Sequence, residues 1–337
     1  MCSIEAQAQN DKPAKPRILV IKLSSFGDIF HAIPAVQQLK AQLGAEVDWV
    51  TQAEYAPLVR CVSGVSRVIP FHRRRALQTL LPFLRELRAH SYDYVFDLQG
   101  LLKSACIARL ACAKTIIGPS FHRECAHWLY HAVAGVRNKD RHAVDENLDI
   151  LRYLQKPVAT PAFDIRFPDI TLPGHAPRIG IIPVSRWESK NWPAASFIRT
   201  ITGLTQRKAS VFLLGGPADA EICRQIESAC TGVINMAGKT SLVEMGSVLQ
   251  KLDAVISNDS GPMHMAAAVG TPVVAVFGPT SPVRTGPFGP KHRILQTALP
   301  CQPCFSRTCR LRQSPPPCQT GITPEMVLQA VDELLVR

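Results

Sequence analysis

Two short loops hold most of the residues that could do chemistry. The first is Lys22-Leu23-Ser24-Ser25-Phe26-Gly27-Asp28-Ile29-Phe30-His31, directly after the apolar run RILVIKL (17–23). A loop that opens a helix after a strand presents free backbone N–H groups to anions. Asp28, near that helix start, has the chemistry of a carboxylate general base. It also has a bland reading, as an acid favoured by the helix dipole, with Ser25 or Gly27 serving only as a cap. G-x-G-x-x-G and GxxxxGK[ST] are both missing from this loop, which speaks against a dinucleotide-dependent dehydrogenase and a P-loop kinase. The second loop, Asn258-Asp259-Ser260-Gly261-Pro262-Met263-His264, follows DAVISND (253–259). Asp259 or Ser260 can cap the helix it opens, and Pro262 suits the first helical turn. Gly261 lets a ligand approach the backbone, and His264 sits at the same end. Together they make a plausible diphosphate cradle or, more simply, a capped helix.

A third cluster is Cys301-x2-Cys304-x4-Cys309-x8-Cys318, in a loop rich in Pro, Ser and Arg. Four thiolates at this spacing can hold a structural zinc ion, and a [4Fe–4S] cluster is a second option. Free thiols, or disulfides formed only on oxidation, are the plain alternative.

The elements that must carry these residues alternate strand and helix. Strands are expected at 17–23, EVDWVTQ (46–52), SRVIPF (66–71) and YDYVFDL (92–98), with helices over 27–43, 76–90, 101–112 and 122–134. The pattern then restarts after a Pro-punctuated linker at 158–177. Strands follow at RIGIIPVS (178–185), SVFLLGG (210–216), DAVISND and PVVAVFG (272–278), with helices over 193–206, 217–230, 241–251, 261–269 and about 323–336. Two such series predict an α/β fold of two doubly wound domains, 17–157 and 178–322, after a flexible tail (1–16) and before a C-terminal helix (323–337). Ligands in such folds bind beyond the carboxyl ends of the strands, so the cleft between the domains is the expected site.

Bulk properties agree. The 337 residues suit two domains, and 46% apolar against 19% charged residues excludes a largely disordered chain. No apolar run approaches the ~18–20 residues of a membrane span. The first sixteen residues lack the apolar stretch of a signal peptide, so the protein is expected in the cytoplasm. Eleven cysteines, an odd number in a chain this long, argue against a secreted disulfide framework. The net charge of +12 divides as +7 over residues 1–157 and +5 over the remainder. It favours anionic partners: nucleic acid, an anionic membrane or a phosphorylated substrate. No nucleic-acid-binding motif accompanies it, so nucleic acid is not expected.

Three separated blocks, ILVIKLSSFGDIFHAIPAV (18–36), DLQGLLKSA (97–105) and SNDSGPMHMAAAVGTPVVAVFGPTSP (257–282), together resemble glycosyltransferase family 9, the bacterial lipopolysaccharide heptosyltransferases. SRWESKNWP (185–193) and LLGGPADAE (213–221) are weaker echoes. DLQGLLKSA followed by IGPSFHRE (117–124) looks most like the heptosyltransferase I branch. The resemblance implies a GT-B fold of two Rossmann-like domains facing a cleft, with acceptor bound by the first and donor by the second. It implies inverting transfer of L-glycero-D-manno-heptose from ADP-heptose to the Kdo-lipid A inner core, with no metal required, by a monomer at the inner face of the inner membrane. A relative acting on a later core heptose or another acceptor, or a GT-B-like nucleotide-sugar epimerase, are the alternatives.

Carried over by position, Asp28 matches the family's general base and Lys190 a lysine that stabilises the departing diphosphate. Asp259, Ser260, Gly261 and His264 match its donor loop, and Ser185 a hydroxyl near the phosphates. The acidic donor contact falls at Asp219 or Glu221. On the acceptor side the resemblance points to Ser25 and Gly27, to Gln99, Gly100 and Lys103, and to the basic residues Arg73, Arg75 and Arg123, whose forks suit phosphate and carboxylate groups. Trp187 either stacks on the adenine or packs. The cysteine loop lies outside these motifs, so a metal there would be structural.

Overall fold

The computed structural model describes residues 15–336; the tail expected over 1–16 lies, except for its last two residues, outside them. The first half contributes strands β1 (Arg17–Ile21), β2 (Glu46–Gln52), β3 (Arg67–Phe71), β4 (Ser91–Asp97), β5 (Cys112–Pro119) and β6 (Ala132–Ala134). The second contributes β7 (Arg178–Ile182), β8 (Ser210–Leu213), β9 (Val233–Asn235), β10 (Ala254–Asn258), β11 (Val273–Phe277) and β12 (Arg293–Gln296). They form two six-stranded parallel sheets, ordered β3-β2-β1-β4-β5-β6 and β12-β11-β10-β7-β8-β9. Numbered within its own half, each sheet has the doubly wound order 3-2-1-4-5-6. The strand order reverses between β1 and β4 and again between β7 and β10, where a crevice opens at the strand ends. The segments that follow β1, β4, β7 and β10 carry Asp28, Gln99, Lys190 and Asp259 respectively.

Strand periodicity sets the layers. Leu19 and Ile21 of β1 face an outer layer that holds Val95 of β4, Phe83 and Leu87. Ile18 and Val20 face inward, into a core that also takes Phe212 of β8, Val255 of β10 and Val273 of β11. That inner core runs through both halves. Within it, helix Phe26–Leu43 packs on helix Gly261–Ala268. The outer face of the second sheet is covered by Trp192, Phe197 and the C-terminal helix Pro324–Leu335, whose Val327 and Val331 are fully buried. The stretch 158–177 has no helix or ladder, yet it is pinned. Ile165 bridges Val62, Phe163 and Phe167 pack into the inner core, and Gln37 Nε2 donates to the Asp164 carbonyl at 2.7 Å.

The expected helix over 122–134 is not formed. Glu124 and Cys125 adopt left-handed backbone conformations (φ 56° and 57°), which a right-handed helix cannot contain. A short 3-10 turn (Ala126–Leu129) and β6 follow instead, so Arg123 sits in a loop and not at a helix start. Strands β5, β6, β9 and β12 and the helical turns Ala143–Asn147 and Asp149–Tyr153 were not anticipated.

Candidate active site

Ser25 is the N-cap of helix Phe26–Leu43, and Asp28 stands in its first turn. One Asp28 oxygen, Oδ2, accepts from the Ser25 N–H (2.8 Å) and hydroxyl (2.9 Å). Oδ1 lies 3.7 Å from His31 Nδ1. The capping contact thus occupies one oxygen and leaves the other turned toward His31. The side chain is 44% exposed and lines the cleft. Burial opposes its charge, but His31, the Lys22 ammonium and the Ser25 N–H outweigh burial and hold the carboxyl well below the usual carboxylate range.

The loop beneath is fixed from β4. Gln99 Oε1 accepts from the Leu23 and Ser24 N–H groups at 3.0 and 2.9 Å. The buried Asp97 in turn holds the Gln99 loop. It accepts from the Gln99 and Gly100 N–H groups (2.8 and 3.1 Å), the Ser104 hydroxyl (2.7 Å) and the Tyr130 hydroxyl (2.6 Å). Gly100 has φ +71°, and a Cβ there would meet Pro119 and the His122 backbone, so the tight turn requires glycine. Its carbonyl accepts from the Arg123 N–H at 2.7 Å, which aims Arg123 at the cleft.

On the donor half, Lys190 Nζ pairs with Asp259 Oδ2 at 2.6 Å, and the Thr280 hydroxyl donates to the same oxygen at 2.6 Å. Ser185 Oγ donates to the Asp259 carbonyl at 2.7 Å. Asp259 is buried, so its carboxylate positions Lys190 and is kept away from an anionic ligand. Lys190 Nζ also lies 4.6 Å from the centre of the Trp187 ring, with Arg307 at 5.5 Å. Trp187 lines the cleft, half-buried between these two cations, and is not a core residue.

The first turns of helices Phe26–Leu43 and Gly261–Ala268 abut. A Cβ on Gly27 would come within 2.5 Å of His264, and one on Gly261 would run into Phe26. Ser260 stands at the N-cap position of the second helix without a side-chain capping bond, its hydroxyl 3.1 Å from that of Ser257. His264 Nδ1 meets His31 Nε2 at 3.3 Å. Burial, then His31, push the pKa of His264 well below its usual value, so it stands neutral at the joint.

The cleft between the halves has a volume of about 600 Å³. Of the residues expected from sequence, Asp28, Gln99 and Arg123 line it. Ser185, Lys190, Asp259, Ser260, Gly261, His264, Ser25 and Gly27 are not among its lining residues. Arg73 and Arg75 are exposed on a turn after β3, and Lys103 stacks over Phe71 at 5.9 Å. Asp219 accepts from the Gly216 N–H at 2.8 Å and closes the loop after β8, while Glu221 pairs with Arg224 on an exposed helix face. Neither reaches the cleft lining.

The cleft also takes Lys22, His31, Arg137, Lys139, Glu146 and Arg284, which sequence reading did not single out. Lys22 is buried and donates to the Leu98 carbonyl at 2.6 Å. Burial lowers its pKa, opposed by Asp28. Glu146 faces Arg284 across the halves at 3.8 Å. Burial raises the Glu146 pKa, opposed by that arginine. Arg137 and Lys139 follow β6, whose brevity hid them. Arg284 lies just past the GPTSP loop, at the edge where ligands are expected, and that was a usable signal. Five cations (Lys22, Arg123, Arg137, Lys139, Arg284) face two carboxylates (Asp28, Glu146) in the lining, a field that attracts anions.

Cys301, Cys304, Cys309 and Cys318 line one small cavity behind Ser189, and all four thiols are free. Burial, then the neighbouring Cys309, push the Cys318 thiol up to about 11. Among the described residues, no group of three or more His, Cys, Asp or Glu side chains is placed to hold a metal ion.

The family model for glycosyltransferase family 9 (heptosyltransferase) matches residues 80–314. The lipopolysaccharide heptosyltransferase 1 of Pseudomonas aeruginosa is 30% identical, over 95% of this chain and 98% of its own. The lipooligosaccharide heptosyltransferase 2 of Haemophilus influenzae is 29% identical over 95% and 99%. The E. coli heptosyltransferase WaaC, solved with ADP, superposes with a TM-score of 0.78 at 25% identity, over 94% of this chain and 99% of that one. Its complex with ADP-2-deoxy-2-fluoro heptose gives 0.75. These matches have the GT-B architecture that the two sheets and their cleft display, and they set the epimerase alternative aside: the chain belongs to glycosyltransferase family 9, the heptosyltransferases.

Proposed function

We propose that this enzyme transfers L-glycero-D-manno-heptose from ADP-heptose to the Kdo-lipid A inner core, with inversion at the anomeric carbon. The observation that carries this reading is the juxtaposition of Asp28 with the Lys190–Asp259 pair across two abutting helix N-termini. Asp28 accepts the proton of the attacking acceptor hydroxyl as the new C–O bond forms. The bond from the anomeric carbon to the diphosphate breaks, and its electron pair leaves with ADP. Lys190 and the N–H groups at the start of helix Gly261–Ala268 stabilise the charge that develops there. Holding Asp28 ionised keeps it ready for a proton that becomes acidic only during attack. Asp259 and Ser185 act as positioning residues for Lys190. Arg123, with Arg137 and Lys139, suits the acceptor's phosphate and carboxylate groups. Ser25, Gln99 and Gly100 hold the loops that aim Asp28 and Arg123. Asp219 lies in the turn Pro217–Asp219 that follows β8 and is the better placed of the two acids for the donor ribose, since Glu221 is committed to Arg224.

The enzyme acts in the cytoplasm, as a monomer, at the inner face of the inner membrane. This fits the basic cleft, and among the described residues no helix is long and apolar enough to cross a membrane. A second reading, addition of a later core heptose, is favoured by the likeness to the H. influenzae heptosyltransferase 2.

The test is ADP release from ADP-heptose with and without Kdo2-lipid A. Acceptor-dependent release is expected. It should fall roughly 10²- to 10⁴-fold in Asp28→Ala and about 10²- to 10³-fold in Lys190→Ala, with ADP still bound by Asp28→Ala. Release that appears only with a heptosylated acceptor would select the second reading. An Asp28→Ala enzyme at full rate would remove the base.

A further inference from the structure

Away from the cleft, helix Ala76–Leu87 presents Leu77 and Leu81, the two most exposed leucines among the described residues, at 91% and 79%. Leu80 (40%) completes an i, i+3, i+4 set on one face. The apolar arc of this helix is wider than the sheet can cover. Phe83 and Leu87 are buried in the outer layer of the first sheet, and the leucines beside them point away from it. The helix is preceded by Arg73, Arg74 and Arg75, all exposed, carries exposed Arg85 in its last turn and is followed by exposed Arg88. From His72 to His90 the sole acid is Glu86.

Two more elements share this layer. Helix Leu102–Leu110 and the turn Ala126–Leu129 cover the same sheet face through Ala105, Ala108 and Ala126. They add Leu102 at 44% exposure and the indole of Trp128 at 79%. The layer also reaches the cleft. Arg73 lies close enough to act on Lys103, which begins the helix after β4, and Gly100 in the same connection holds the backbone of Arg123.

Leucines that project from a convex helix, arginines at both ends and a nearby exposed tryptophan are what an interfacial helix needs: apolar side chains for the acyl boundary, cations for anionic head groups, an indole at head-group level. Around these leucines the cations Arg73, Arg74, Arg75, Arg85, Arg88 and Lys103 outnumber the acids Glu86 and Glu124, a balance that favours an anionic surface as the occupant. We propose that helix Ala76–Leu87, flanked by Arg73–Arg75 and assisted by Leu102 and Trp128, is the face this enzyme lays on an anionic phospholipid bilayer. The proposal rests on the reading of the acceptor as a membrane lipid and adds which surface turns to that membrane.

The test uses the full chain and co-sedimentation with vesicles of phosphatidylethanolamine and phosphatidylglycerol, against phosphatidylcholine alone. Wild type should bind the anionic vesicles, more weakly at high salt, and Leu77→Glu/Leu81→Glu should lose at least tenfold in binding. Both positions are exposed, so the double variant should keep its melting temperature, its ADP affinity and its transfer to a deacylated, soluble acceptor. A double variant that still binds anionic vesicles like wild type overturns the proposal. So does a wild type that ignores both vesicles while transferring heptose to the soluble acceptor; that result leaves the proposed reaction standing. Loss of vesicle binding in the variant, with no heptosyl transfer by wild type, would keep the surface and remove the reaction. A wild type that is dimeric by light scattering and a variant that is monomeric would assign the face to self-association and overturn the membrane proposal.

Discussion

Asp28 caps its own helix and is the base of the proposed reaction, and its surroundings decide how the rate should depend on pH. His31 and Lys22 hold its pKa down, against burial, so the carboxylate stays ionised through the neutral range, as the proposed base must. A carboxylate base loses activity as pH falls through its own pKa. Replacing His31 removes the foremost stabilising partner, so that pKa should rise. In His31→Ala the acid limb of kcat/KM should therefore begin at a higher pH than in wild type, and a full pH–rate profile of each will show it. Superimposed limbs would mean that His31 does not set the state of Asp28. The sequence made Asp28 legible because an acid just inside a helix after a buried strand is a short, local pattern. It did not reveal Lys22 or Glu146. A lysine at the end of an apolar strand and a glutamate in AVDENLDI look ordinary until folding buries them at one cleft.

The strands made the site predictable from the chain. Runs such as RILVI and VVAVF are buried on both faces and need no alternation to be recognised. Once β1, β4, β7 and β10 are placed, the strand order puts the segments that follow them at one crevice, where Asp28, Gln99 and Arg123 line the cleft. What escaped is physically different. β6 and β9 have three residues and β12 four, too few for a periodic signal, and β5 opens with Cys-Ala-Lys, which continued the preceding helix pattern. At the joint of the two helices, Gly27 is held by packing. Gly27→Ala pushes a methyl group into His264 and should cost about 1–3 kcal/mol of stability by overpacking. Urea unfolding will measure it, and an unchanged midpoint would show that the helices can part without penalty.

The two halves share one inner core, so the molecule is built to unfold as a unit. Histidines at that joint make its stability depend on pH. Burial keeps the pKa of His264 well below its ordinary value of about 6.5, and His142 is lowered in the same way. Below that ordinary value the unfolded chain binds protons that the folded chain refuses, so stability is lost as pH falls from neutrality. The melting temperature should drop between pH 7.5 and pH 5, and His264→Gln should flatten the slope. A wild-type melting temperature constant across that range would contradict the burial. The depressed carboxyl of Asp28 acts only at more acid pH, outside this window. The cleft's tryptophan has a separate consequence, which is optical. An indole's emission follows the polarity and charge around it, and the four tryptophans occupy three different settings. Trp49 and Trp192 are sealed in the interior, Trp187 stands in the cleft between Lys190 and Arg307, and Trp128 stands on the outer face. The enzyme thus carries its own pair of reporter dyes against a constant background, one that nucleotide arrival should recolour and one that lipid contact should.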